Sequence, residues 1–109
     1  MTTPQPDPTL LFKALGDPTR RALFERLSGG EQTVHALTQA AQVSQPAVSK
    51  HLAVLKAAGL VDDRRDGRET HYRALPQGLT PLAGWIDSYA AFWEGRFDRL
   101  EALLQRMDQ

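Results

Sequence analysis

The stretch that most constrains this chain runs from Thr33 to Leu60, TVHALTQAAQVSQPAVSKHLAVLKAAGL, because it reads as two short helices joined by a tight turn. Thr33 and Ser44 each stand where a helix needs a side-chain oxygen to receive its unpaired first-turn amides, so both are predicted N-caps. Only a few residues then separate the helices. In the second helix Val48, Leu52 and Leu55 recur at spacings of four and three, which makes one buried stripe. Gln45, Pro46, Ser49, Lys50 and Ala53 lie off that stripe. A helix held by one apolar stripe, with small and hydrogen-bonding side chains on its outward turns, can enter a major groove and meet base edges and phosphates. The Gln45 amide suits bidentate contact with adenine, and the Ser49 hydroxyl suits base or phosphate. Lys50, a flexible point charge, suits phosphate. His51 borders the apolar stripe and reads as a packed histidine or a phosphate contact rather than a metal ligand. Pro46 falls in the first turn, where its missing amide is tolerated. The predicted DNA contacts on this helix are Ser44, Gln45, Pro46, Ala47, Ser49, Lys50 and His51.

After Gly59 the pattern changes. Residues 60–75 read as two extended segments around Asp66-Gly67, a strong two-residue hairpin turn. A hairpin tip beside a groove-reading helix can reach the adjacent backbone or minor groove, so Arg64, Arg65 and Arg68 join the predicted DNA contacts. Asp62 and Asp63 fit a phosphate-facing strand poorly and are expected to point away or to pair with Arg64 and Arg73.

Asp7-Pro8 and Asp17-Pro18 repeat one device, an aspartate N-cap followed by proline at the first helical position. They predict helices over about 8–15, ending at Gly16, and about 18–28, ending at Gly29-Gly30. Residues 1–6 are expected to be disordered, and 7–109 to form a single domain. Arg20 and Arg21 read evenly as phosphate contacts or as solvated or internally paired charges. Beyond a linker at 75–78, Thr80-Pro81 opens a predicted long helix to about 108. Leu79, Leu82, Ile86, Tyr89, Trp93, Phe97, Leu100, Leu104 and Met107 recur along it at threes and fours. At about 1.5 Å per residue it would be roughly 40 Å long, more than a small core needs, so a second copy is its expected cover. Gly84 and Gly95 weaken it, and a break near Gly95 is one expected outcome. Its aromatic cluster reads as packing surface rather than as a ligand pocket.

With 109 residues, 41% of them apolar, the chain suits one modest core that association would help. It has no cysteine, which excludes disulfides and thiolate metal sites. There is no apolar run long enough to span a membrane and no charged-then-apolar signal pattern, so the expected location is cytoplasmic. Net charge is +0, which by itself argues against a nucleic-acid partner. Its distribution answers in part: residues 44–75 carry six basic against four acidic side chains, and residues 79–109 three against five.

The motifs LFKALGDPTRR at 11–21, SQPAVSKHL at 44–52, and GLV at 59–61 followed by RRDGR at 64–68 resemble the ArsR/SmtB family of winged helix-turn-helix repressors. The resemblance runs from Leu10 to about Leu75 and, more loosely, through the last helix. It implies a mainly α fold with a small β-hairpin, dimerised through the N-terminal and long C-terminal helices, with a helix-turn-helix at 33–58, a wing at 60–75 and a dimerisation helix at 80–108. Leu11, Phe12, Leu15, Leu82, Ile86, Tyr89, Trp93, Phe97, Leu100 and Leu104 are then the expected dimer contacts. The implied function is sequence-specific binding of double-stranded DNA at an inverted repeat. Metal sensors of the family need converging cysteines, or Asp and His ligands on the last helix. Here His35, His51 and His71 lie on separate elements, so the chain resembles the metal-independent members, with no cofactor and an unknown effector. An interaction module that has lost DNA binding is the alternative. No nucleophile, base and pocket combine as an enzyme would require.

Overall fold

The structure is a computed structural model that describes residues 8–107, apart from the side chains of Trp93 and Phe97. The expectations of disorder at 1–6, of an Asp7 N-cap and of Trp93 and Phe97 as dimer contacts lie outside the described residues. Side-chain oxygens set three of the helix starts. Asp17 Oδ1 accepts the Arg20 amide at 3.1 Å and opens α2 (Pro18–Ser28), which follows α1 (Thr9–Leu15) across a two-residue corner. Thr33 Oγ1 accepts the Ala36 amide at 3.1 Å to open α3 (Val34–Ala41). Ser44 Oγ accepts the Ala47 amide at 3.3 Å to open α4 (Gln45–Ala57). Between α3 and α4, Gln42 adopts a left-handed conformation, φ 57° and ψ 33°, and its amide closes onto the Thr38 carbonyl.

The β structure is larger than one hairpin. β1 (Gln32–Thr33), β2 (Val61–Asp66) and β3 (Glu69–Ala74) form an antiparallel sheet in the order β1-β3-β2. A two-residue strand is too short to show alternation, so β1 leaves no signal in sequence and exists because Tyr72 and His71 pair with it. The hairpin turn also differs by one residue from the prediction. Asp66 pairs with Glu69, which makes Gly67-Arg68 the loop, and only Gly67 has positive φ, 63°. Glycine at the first central position is the type II′ pattern.

The predicted long terminal helix is two helices, α5 (Thr80–Asp87) and α6 (Ala90–Met107). They part at Ser88-Tyr89, where the Ser88 hydroxyl donates to the Trp85 carbonyl at 2.6 Å and the Tyr89 amide to Ile86 at 3.0 Å. A hydroxyl competing for backbone acceptors tightens and ends the helical ladder there. Gly95 sits inside α6 without a break.

Leu11, Ala14, Leu23, Phe24, Leu27, Leu37, Val48, Leu52, Leu55, Leu60 and Val61 form the core. Leu11, expected at the dimer interface, is 2% exposed. It follows Leu10 by a 100° step on α1 and takes the inward face. Leu15 and Leu82 are likewise packed against this core.

Candidate nucleic-acid interface

The buried stripe of α4 fixes which side chains face outward. Val48, Leu52 and Leu55 are fully buried, while Ser44, Gln45, Pro46, Ser49 and Lys50 are exposed and Ala47 and His51 are half-buried. Because the Ser44 hydroxyl is engaged as a cap, it reaches a ligand only through its remaining valences. Gln45 and Ser49 line a groove of about 280 Å³ with Arg68, Thr70 and Tyr72 of the wing and with His35 of α3. α4 and the tip of the β2–β3 hairpin therefore share one concave surface. His35 lies within hydrogen-bonding distance of Gln39, Nε2 to Nε2 at 3.1 Å. Its place in the groove was not legible from sequence, because it depends on the angle between α3 and β3.

Strand alternation divides the wing arginines. Residues paired across a sheet share a face, and Arg65 pairs with Thr70 while Asp63 pairs with Tyr72. Thr70 and Tyr72 line the groove, so Arg65 stands on the α4 side and Arg68 at the tip. Arg64 pairs with His71 on the other face. There its Nη2 donates to Glu31 Oε1 at 2.6 Å and its Nε to the same oxygen at 3.1 Å, with Asp66 at 3.8 Å. The expected DNA contact at Arg64 thus falls on a guanidinium already paired with Glu31, on the face opposite Arg65. His71 occupies the same outer face, with Nδ1 3.4 Å from Glu31 and Nε2 3.6 Å from Glu69. Hydrogen bonds from Arg64, more than any other cause, hold the Glu31 carboxyl below its ordinary range.

The two aspartates that looked out of place have partners. Asp63 meets Lys56 Nζ at 2.7 Å and Asp62 meets Arg73 at 3.3 Å, so Arg73, but not Arg64, is the pairing partner. The Asp62 carboxyl is lowered first by the Asp63 amide and then by Arg73. The Lys56 ammonium is raised by its hydrogen bond to Asp63. The negative charges of Asp62 and Asp63 are thus balanced locally.

Arg20, which the sequence left undecided, is held by protein acceptors. Its Nε donates to the Ala14 carbonyl at 2.8 Å and its Nη2 to the Lys13 carbonyl at 3.0 Å, both in the last turn of α1. Its Nη1 lies 3.3 Å from His51 Nδ1. The available signal was positional: a cation in the first turn of a helix that follows a sharp corner can run back to the unpaired carbonyls of the preceding helix. Among the described residues no three His, Cys, Asp or Glu side chains converge as a metal site requires.

A separate apolar surface spans α1 and the terminal helices. Phe12 meets Trp85 edge-on, centroids 5.2 Å apart, and Trp85 meets Tyr89 at 5.1 Å. Leu10, Ile86, Leu100, Leu103, Leu104 and Met107 are all about half exposed or more. Leu10, Trp85, Leu103 and Met107 extend the surface beyond the expected dimer contacts.

A helix-turn-helix domain family model matches residues 15–64. The HTH-type transcriptional regulator Rv2034 of Mycobacterium tuberculosis is 45% identical over 82 residues, which cover 75% of this chain and 77% of that protein. The transcriptional repressor SdpR of Bacillus subtilis is 34% identical over 76 residues, 70% of this chain and 84% of the repressor. The solved ArsR-like transcriptional regulator from Rhodococcus sp. RHA1 superposes with a TM-score of 0.72 at 33% identity, over 90% of each chain. Among the described residues no helix is long and apolar enough to cross a membrane.

Proposed function

The chain belongs to the ArsR/SmtB family of winged helix-turn-helix transcriptional regulators, and from that premise we propose that it acts as a homodimeric repressor on an inverted-repeat operator in double-stranded DNA. The observation that carries this reading is the concave surface shared by Gln45 and Ser49 of α4 and Arg68 of the wing. It has the form needed to seat the first turns of α4 in a major groove while the wing tip grips the flanking backbone. Gln45 and Ser49 read base edges, Lys50 and Arg65 neutralise phosphate, and Pro46 stiffens the entering end. The exposed apolar surface of α1, α5 and α6 is the self-complementary patch of the dimer. Two-fold symmetry then requires half-sites about one helical turn, or a multiple of it, apart.

Release from DNA is independent of metal in this reading, which is supported by the absence of cysteine from the chain. The site of action is the cytoplasm. The test is fluorescence-anisotropy titration on the DNA upstream of the protein's own gene and on a scrambled duplex, at two salt concentrations, with and without added zinc. Tight, salt-sensitive and selective binding by two chains per duplex, unaffected by zinc, is the expected result. Equal weak binding to both duplexes, repeated after random-site selection, would favour a winged-helix module that holds a protein partner.

A further inference from the structure

An apolar stripe sets how deeply a helix is buried but resists rolling about the helix axis only weakly, because van der Waals contacts have little directionality. Hydrogen bonds are directional. α4 carries two such bonds to other elements: one from Arg20 Nη1 to His51 Nδ1, 3.3 Å, on the flank of its stripe near the first turns, and one from Lys56 to Asp63 of β2, 2.7 Å, in its last turn. A guanidinium has no acceptor, so in the first bond His51 Nδ1 serves as the acceptor. The same guanidinium is itself fixed by the carbonyls of Lys13 and Ala14 in the last turn of α1. α1 is the helix whose Phe12 meets Trp85 of α5 edge-on.

We propose that Arg20 is a positioning residue for DNA recognition, which acts through His51 to fix the roll of α4 against the end of α1. His51 lies one residue from Leu52 and three from Val48, so a roll that breaks its bond swings Gln45, Ser49 and Lys50 together out of register with the groove. Recognition geometry tolerates roughly 10–20° of such error. Three of the five guanidinium N–H groups face protein acceptors, and this orientation serves the internal link rather than a phosphate. The half-buried placement of His51, expected in sequence to touch DNA, is explained by the same link. The inference rests on the operator-binding reading above and adds to it a residue outside the DNA-facing surface.

The test uses full-length protein on a duplex obtained by random-site selection and on its scrambled counterpart, over a series of salt concentrations, with circular dichroism confirming that each variant is folded. Arg20→Gln and His51→Ala should each lose about tenfold in selectivity for the selected duplex, the scale of one charge-assisted hydrogen bond. The slope of log Kd against log salt should stay that of the wild type, because no phosphate contact is removed. His51→Asn, whose amide oxygen takes the place of Nδ1, should restore selectivity, and the double variant should be no worse than either single one. A slope lower by about 0.9, with both duplexes weakened alike, would make Arg20 a phosphate contact and overturn the proposal. Unchanged selectivity in folded variants would overturn it as well, leaving a contact that only stabilises the fold. Should Arg20→Gln unfold through loss of the α1 carbonyl bonds, His51→Ala leaves both of them in place and decides alone. A wild type without selectivity would overturn the operator reading; a selective wild type with equally selective variants would overturn this inference alone.

Discussion

Arg64 and Arg65 are neighbours in the chain, yet strand alternation sends their guanidinium groups to different faces, where one binds Glu31 and the other faces the groove side of the wing. The difference should be measurable. Arg68→Ala is expected to weaken binding to operator and scrambled DNA alike and to lower the salt slope by about 0.9, whereas Arg64→Ala should leave the slope unchanged. Salt-dependent anisotropy on both variants checks the pair. Gln45→Ala should instead cost about 1–3 kcal/mol at the operator and relax preference at one base position, which a binding-site selection reads directly. Glu31 adds a pH effect of definite sign. Its folded value lies below the ordinary 4.5, so it contributes stability that is present above that value and lost as pH falls through the folded one. Protection of the β1–β3 amides, corrected for intrinsic exchange, should therefore fall as pH drops below 4.5 and stay unchanged in the neutral range. Polarity and spacing were enough to nominate Gln45, Ser49 and Arg68. They could not separate Arg64 from Arg65, because the turn type sets strand register and the turn lies one residue later than Asp66-Gly67 suggested.

The caps Asp17, Thr33 and Ser44 act within four residues of themselves, and for that reason the starts of α2, α3 and α4 could be read from sequence. The end of α4 is as local. The Gly59 amide bonds the Lys56 carbonyl and the Leu60 amide the Leu55 carbonyl, with Gly59 at φ 77° and Leu60 fully buried, a complete Schellman motif. What sequence does not disclose is the segment that packs over this corner. A Cβ added at Gly78, in the single turn Pro76–Leu79, would fall within van der Waals contact of the Gly59 carbonyl, a backbone atom that cannot swing aside. Gly78→Ala should accordingly destabilise the fold by about 1–3 kcal/mol, seen as a lower urea midpoint with an unchanged m-value. The division of the terminal helix at Ser88-Tyr89 was equally hidden. Threefold and fourfold apolar spacing continues across it, and periodicity reports faces, not the hydrogen bonds that interrupt them.

The described residues extend 61 × 47 × 20 Å, with a radius of gyration of 18.6 Å, against about 13 Å for a compact chain of this length. The excess is consistent with the exposure of α6, where Leu100, Leu103, Leu104 and Met107 form an i, i+3, i+4, i+7 stripe that no other described residue buries. Paired substitution of Leu100 and Leu104 by Glu is expected to leave the helical content of the winged domain intact while abolishing the proposed dimer. Analytical ultracentrifugation should then show one chain mass in place of two, with operator affinity falling at least a hundredfold as the second half-site is lost. A dimer that survives the substitution would place its interface elsewhere.

Sequence alone determined the family, the order of the first four helices, the helix-turn-helix and the position of the wing, because caps, turns and apolar periods act over a few residues and act the same way in any context. Tertiary structure decided the rest. It paired β1 with β3, sent Leu11 inward and Leu10 outward, bound Arg64 to Glu31, and ran Arg20 from the end of α1 to His51. Each of those outcomes depends on a partner separated by many residues or by a rotation about a helix, and no local rule specifies either until the elements have packed.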